Sequence, residues 1–223
     1  NLDLEAVEAA LTPRTKADCA VNLLGNPCEL GRLSRFCDAR GLVLIEDNCE
    51  SMGAEIDGRF AGAFGRVATF STFFSHHIST MEGGVVVTDD PDLRNILLSL
   101  RSHGWVREQP PGSRLAVDAD AFRRSFRFVL PGYNLRPIEM AGAIGREQLR
   151  KLPGLVEGRR RNADVFRTLF ADAEFARIQR ETGRSSWFGF AITLAGPLAG
   201  RRPEVAERLR AEGVEARPVV AGN

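Results

Sequence analysis

Lysine is scarce in this 223-residue chain. Of 30 basic side chains only Lys16 and Lys151 are lysines, so a side-chain amine is available at two positions. An excess of one charge is missing too. Lys plus Arg total 30 against 29 for Asp plus Glu, a net charge of +1, which removes the field that would draw nucleic acid or an anionic membrane surface and favours a small or near-neutral partner. No apolar run approaches the ~20 residues that cross a bilayer. The four cysteines, Cys19, Cys28, Cys37 and Cys49, have no CxxC spacing, which argues against a zinc knuckle or a secreted disulfide framework; reduced thiols in a cytoplasmic protein are expected. Internal repeats and low-complexity segments are also lacking. The start, Asn1-Leu-Asp-Leu-Glu5, is neither a signal peptide nor a natural initiator, and Arg217 to Asn223 stops just after an apolar run; a fragment lacking both ends is the expectation.

What is present suits a globular α/β chain. At 43% hydrophobic content, it can bury a substantial core. Helical spacing over Leu4 to Leu11 stops at Thr12-Pro13, since proline disfavours helix in the residue before it. Ala17 to Leu24 is an apolar run without alternation, as in a strand buried on both faces. A helix over Glu29 to Arg40, closed by Gly41, and a second buried strand at Leu42 to Ile45 complete a βαβ unit. Further strands are expected at Val67 to Phe73 and Gly84 to Thr88, a helix at Pro91 to Ser102, and a long polar loop from Arg107 to Asp120. Helical periods over Ile138 to Leu152 and Val156 to Phe170 are separated by Pro153-Gly154. Phe188 to Leu194 reads as a strand, Pro203 to Glu212 as a helix and Val214 to Val220 as a strand. Such alternation implies a mostly parallel sheet covered by helices, with residues 1–154 in a large α/β domain and 155–223 opening a small α+β C-terminal domain.

Chemistry concentrates in two places. Asp47 ends a parallel strand in Ile45-Glu-Asp-Asn-Cys-Glu-Ser51, where open α/β sheets bind ligands; a helix cap or a surface acid is the plainer reading of that segment alone. The second place is Ala68-Thr-Phe-Ser-Thr-Phe-Phe-Ser-His-His-Ile-Ser-Thr-Met-Glu-Gly-Gly84. It joins an apolar strand to a hydroxyl-rich loop suited to a phosphate and to His76 and His77, two of only three histidines. A base belongs among the candidates there.

These residues resemble the cofactor motif of the DegT/DnrJ/EryC1/StrS sugar aminotransferases. Ser71 is followed five residues later by His76 and then by Glu82-Gly-Gly84, with histidine where that family carries its cofactor-binding lysine. Asn22-Leu-Leu-Gly-Asn-Pro27, Glu46-Asp47 with Gly53-Ala54, and Gly132-Tyr-Asn-Leu-Arg136 running into Glu139-Met-Ala-Gly-Ala-Ile-Gly145 follow in the family order. The run Phe74-Ser-His-His-Ile-Ser-Thr-Met-Glu-Gly-Gly84 is similar to the 3-dehydrases of nucleotide-linked 4-keto-6-deoxyhexoses, which make 3,6-dideoxysugars such as those of lipopolysaccharide O-antigens. The resemblance implies an aspartate-aminotransferase-like, fold-type I architecture and a homodimer with shared active sites. It further implies free pyridoxamine 5'-phosphate, interconverting with pyridoxal 5'-phosphate (PLP).

By the same resemblance, Asp47 pairs with the cofactor's pyridine nitrogen, Ser71 donates to its phosphate, Asn134 reaches the phosphate in the neighbouring subunit, and His76 is the dehydrase base. Glu50 stands where the aminotransferases have a glutamine near the ring hydroxyl. Iron–sulfur members of the group carry a cysteine matching Cys49 and three more after Ser102-His-Gly-Trp105, and Val106 to Asp120 has none. That absence favours glutamate as the amino donor over a partner reductase. Imidazole cannot form the stable imine that lysine forms, so His76 leaves the cofactor in its amine form. The rival readings are a PLP-dependent aminotransferase, which needs a lysine at position 76, and a non-catalytic dimeric relative that lost it. Of the two neighbours, the extended strand expected here lets only one histidine face the cofactor, and His76 is chosen. His103 is read as a loop hydrogen-bonder.

Overall fold

The computed structural model describes residues 1–115 and 120–219. Helix α1 (Leu4–Ala9) is capped by Asp3, whose side chain accepts the Glu5 amide. It leads into β1 (Ala17–Val21), a single 3-10 turn at Leu23–Gly25, α2 (Leu30–Arg40) and β2 (Val43–Asp47). Gly41 closes α2 at φ 64°, the left-handed conformation that glycine adopts without a side-chain clash. The short hairpin β3 (Glu55–Ile56) and β4 (Arg59–Phe60) precedes β5 (Val67–Ser71), β6 (Gly84–Val87), α3 (Pro91–Leu100) and α4 (Ala121–Arg124). Helix α5 (Glu139–Leu169), the hairpin β7 (Ala176–Ile178) and β8 (Ile192–Leu194), and α6 (Arg202–Ala211) follow.

The main sheet has the order β1-β2-β5-β6. β1 and β2 pair in parallel from Ala17↔Val43 to Val21↔Asp47, β2 and β5 from Ile45↔Val67 to Asp47↔Thr69, and β6 runs antiparallel to β5. Mostly parallel pairing puts β2 and β5 in the middle, with their carboxyl ends side by side. The apolar face of α2, Leu30, Leu33, Phe36 and Cys37, packs on Ala20 and Leu44 together with Ala54 and Ala61. Each large side chain so buried contributes about 1.5–3 kcal/mol.

Three sequence expectations change. Among the described residues only β2 pairs with β1, and Val21 is 44% exposed rather than covered on both faces. The expected break at Pro153-Gly154 does not occur, and α5 runs through Pro153 for 31 residues. Proline removes one amide and crowds the preceding turn, but Val156 and Ala163 on the next turns are buried and hold the helix in place. No strand forms over residues 214–219. Val220 of that expectation and part of the Arg107–Asp120 loop lie outside the described residues.

Glu46 is fully buried in β2, pointing away from the face that carries Asp47. Its Oε2 accepts the Gly62 amide at 2.6 Å, and its Oε1 accepts those of Phe64 and Gly65 at 2.7 and 2.6 Å. The carboxylate thus organises the loop entering β5. Glu46→Ala strands three amides away from water and is expected to cost about 3 kcal/mol or more, read as a lower urea midpoint at unchanged m-value.

Candidate active site

The carboxyl ends of β2 and β5 carry the residues singled out above. Asp47, the last residue of β2, accepts the Cys49 amide through Oδ1 at 3.0 Å. The carbonyl of the same Cys49 lies 2.7 Å from His76 Nδ1. One residue's two peptide groups therefore tie the acid and the imidazole together. A carbonyl can only accept, so Nδ1 carries the hydrogen and Nε2 remains the basic nitrogen. Ser71 ends β5, two residues past the Asp47↔Thr69 pair, and its Oγ accepts the Phe73 amide at 3.2 Å, leaving its own hydrogen to donate elsewhere.

Residues 74–78 form a turn in the loop expected after Phe73, so alternation along an extended strand is not what separates the histidines. The two histidines still separate, because the turn sends them different ways. The His76 ring is half-buried, with the Phe73 ring 5.9 Å away between centroids and that of Phe188 at 5.1 Å. His77 is 3% exposed, with Nε2 3.2 Å from the Ser186 carbonyl. Burial first, and then the nearby Arg159 guanidinium, lower its pKa to about 4. A histidine depressed below its ordinary value of 6.5 favours the unfolded chain once protons bind. Its contribution to stability is complete above about pH 6.5, shrinks as the pH falls toward 4, and changes no further below that. The span is worth about 3 kcal/mol. His77→Asn should flatten the fall in stability between pH 6.5 and 4, as followed by urea titrations across that range.

Cys49 keeps its proton: burial, and then the Asp47 carboxylate, push its thiol up to about 12. Cys28 and Cys37 belong to the hydrophobic core. The Glu50 carboxylate accepts the Leu24 amide at 2.8 Å and so braces the turn after β1. Asn134 is exposed and forms an isolated bridge with Ser102; no hydrogen bond joins it to Asp47, Ser71 or His76 among the described residues. His103 is exposed at φ 62°, donating its amide to the Tyr133 carbonyl.

Neither lysine shows a hydrogen bond or ion pair to Asp47, Ser71 or His76 among the described residues. The carbonyl of Lys16 accepts the Val43 amide at the opposite end of the β1–β2 pair, about 15 Å from the Asp47 end at the usual strand rise, and Lys151 is exposed on α5. An acid for a pyridine nitrogen, a hydroxyl for a phosphate and an imidazole in place of an amine fit a pyridoxamine phosphate that is held without a covalent bond. Sequence reasoning missed the Cys49 peptide, Ser186 and Phe188. Backbone carbonyls leave no mark in a sequence, and Phe188 lay at the head of a stretch that reads as an ordinary strand.

The chain has an aminotransferase-like α/β fold, with a mostly parallel sheet that carries this constellation at its carboxyl edge. It belongs to the DegT/DnrJ/EryC1/StrS aminotransferase family, whose model matches residues 1–221. The GDP-4-keto-6-deoxy-D-mannose 3-dehydratase of Yersinia pseudotuberculosis is 50% identical over the whole chain. The solved E. coli GDP-4-keto-6-deoxy-D-mannose-3-dehydratase with bound hydrated PLP superposes with a TM-score of 0.94 at 48% identity, over 100% of this chain and 58% of that one. A second structure of GDP-4-keto-6-deoxymannose-3-dehydratase, with a trapped PLP-glutamate geminal diamine, matches equally well: TM-score 0.94, 48% identity, the same coverage. The chain spans 57% of the Yersinia relative's length.

Proposed function

We propose that this chain is the central part of a pyridoxamine-phosphate-dependent 3-dehydrase that removes the C3 hydroxyl of a GDP-linked 4-keto-6-deoxyhexose. The observation that carries the reading is His76 at the position of the family's lysine, with Nδ1 engaged by Cys49 and Nε2 basic. The relatives named for that activity support the substrate class. When bound, the cofactor supplies an amine that condenses with the C4 ketone and a ring that accepts electrons. Asp47 keeps the ring nitrogen protonated, and Ser71 donates to the phosphate. His76 Nε2 removes the proton that starts the elimination and returns it to the departing C3 hydroxyl, a shuttle that one imidazole can perform as base and then as acid.

Hydrolysis then frees the deoxygenated keto sugar and ammonia, and glutamate, leaving as 2-oxoglutarate, would restore the amine, a role supported by the relative trapped with PLP and glutamate. Asn134 reaches the cofactor phosphate of a second copy in a homodimer, which agrees with its exposure. Residues 1–154 belong to the large domain and 155–223 to the start of the small one. Among the described residues no helix is long and apolar enough to cross a membrane; we place the enzyme in the cytoplasm, where nucleotide sugars are made.

An ordinary aminotransferase would convert the C4 ketone to an amine and leave the C3 hydroxyl in place. Incubation of the full-length protein with the GDP-linked substrate and glutamate separates the two by product mass. The glutamate route also predicts no iron–sulfur cluster, since such clusters are held by cysteine thiolates and Val106 to Asp120 supplies none. Substoichiometric iron and acid-labile sulfide after anaerobic purification are expected. Stoichiometric amounts would move the reading to the reductase-coupled route.

A further inference from the structure

Residues 185–188 come back to the site from far along the chain, and several contacts hold them there. The Ser186 amide donates to the Gly25 carbonyl at 2.9 Å, the Ser185 hydroxyl to the same oxygen at 2.7 Å, and the Phe188 amide to the Leu24 carbonyl at 3.1 Å. Arg159 Nη1 spans the Trp187 and Phe188 carbonyls at 3.1 and 3.0 Å. His77 lies against the Ser186 carbonyl. Trp187 sits at φ 50°, a conformation that persists only where the surroundings enforce it. Gly25 cannot take a side chain, since a Cβ would stand 2.6 Å from the Trp187 nitrogen and 2.7 Å from that of Phe188. The outcome of this clamping is a Phe188 ring held edge-on to the His76 imidazole, at 5.1 Å and 65°.

We propose that Phe188 is a positioning residue: its ring and the Cys49 carbonyl together fix the plane and tautomer of His76, so that Nε2 keeps one direction. The inference rests on the reading of His76 as the base. The hydrogen bond to Cys49 alone leaves the ring able to pivot about the Nδ1–oxygen line. Phe188, and Phe73 at 5.9 Å, both stand edge-on to the ring and restrict that rotation. Nothing in the reaction requires Phe188 to touch the substrate.

The test compares Phe188→Leu and Phe188→Tyr in the cofactor-loaded, full-length protein. Nitrogen-15 spectra of its labelled histidines, assigned with His76→Asn, report the His76 tautomer without turnover, while kinetics report kcat and KM separately. Phe188→Leu should lose about 10- to 100-fold in kcat, as a small misplacement of a reacting group does. Its KM for the sugar nucleotide should stay within about twofold, and the single Nδ1–H form of His76 should give way to exchanging tautomers. Phe188→Tyr, which keeps the ring, should match wild type in both. Wild-type kcat in the leucine variant, or a fall in kcat with the His76 spectrum unchanged, overturns the proposal, as do mixed tautomers in the tyrosine variant. Phe188→Met replaces the leucine variant if that one does not fold. A wild-type protein that shows the single tautomer and performs no dehydration would instead count against the proposed function, so the two failures are distinguishable.

Discussion

His76→Lys in the full-length protein is expected to abolish 3-dehydration and to let pyridoxal phosphate attach covalently. The turn at residues 74–78 places position 76 against the Cys49 carbonyl, while the Cys49 amide donates to Asp47 at the carboxyl end of β2, and the two lysines of the wild-type chain stand at positions 16 and 151. An amine introduced there meets the cofactor aldehyde, and borohydride should fix the product as a stable adduct visible by mass. The wild-type protein should give none. Losing a positioned base removes about 10²–10⁴ in rate, and the new amine also competes with the uncombined cofactor on which dehydration depends. Residual activity at that reduced level is compatible with some proton transfer by the lysine. Undiminished dehydration with no adduct would take the role of base away from His76 and pass it to His77, whose burial makes it a poor substitute.

Asp47→Asn should produce the second large loss. The amide oxygen can still accept the Cys49 amide, so the local backbone is retained, but a neutral group no longer holds a proton on the pyridine nitrogen. Removing one preorganised electrostatic partner of a transition state costs about 10²–10³ in kcat. The expected signature is a loss of that size with the urea midpoint close to wild type. A kcat within about threefold of wild type would show that Asp47 does not serve the ring.

Much of the fold is legible in the sequence because its apolar runs are bounded by strong local signals. Ala17 to Leu24, the helix closed by Gly41 and the strand ending at Asp47 are a βαβ unit in which each boundary has its own chemical cause. The position of Asp47 follows from that unit alone, since a parallel strand must deliver its last residue to the carboxyl edge. The histidine pair is legible as a site through its resemblance to a motif, whereas its geometry is not. Alternation along an extended strand does not separate the pair, since a turn forms at residues 74–78, and the different directions of His76 and His77 come from contacts with residues 49, 186 and 188, distant in sequence. Pro153 misleads for a related reason. Local propensity breaks a helix at proline, and burial of Val156 and Ala163 overrides it. Glu50 and Asn134 were singled out by motif position; the first braces the Leu24 turn and the second lies exposed beside Ser102, placements that only tertiary contacts determine.

The most direct measurement is the mass of the nucleotide sugar released when the full-length protein, loaded with pyridoxamine phosphate, is incubated with GDP-4-keto-6-deoxymannose and glutamate. The account predicts a keto sugar one oxygen lighter than the substrate, formed together with equal amounts of 2-oxoglutarate and ammonia. A GDP-linked amino sugar that retains the C3 hydroxyl, or substrate recovered unchanged, would contradict it.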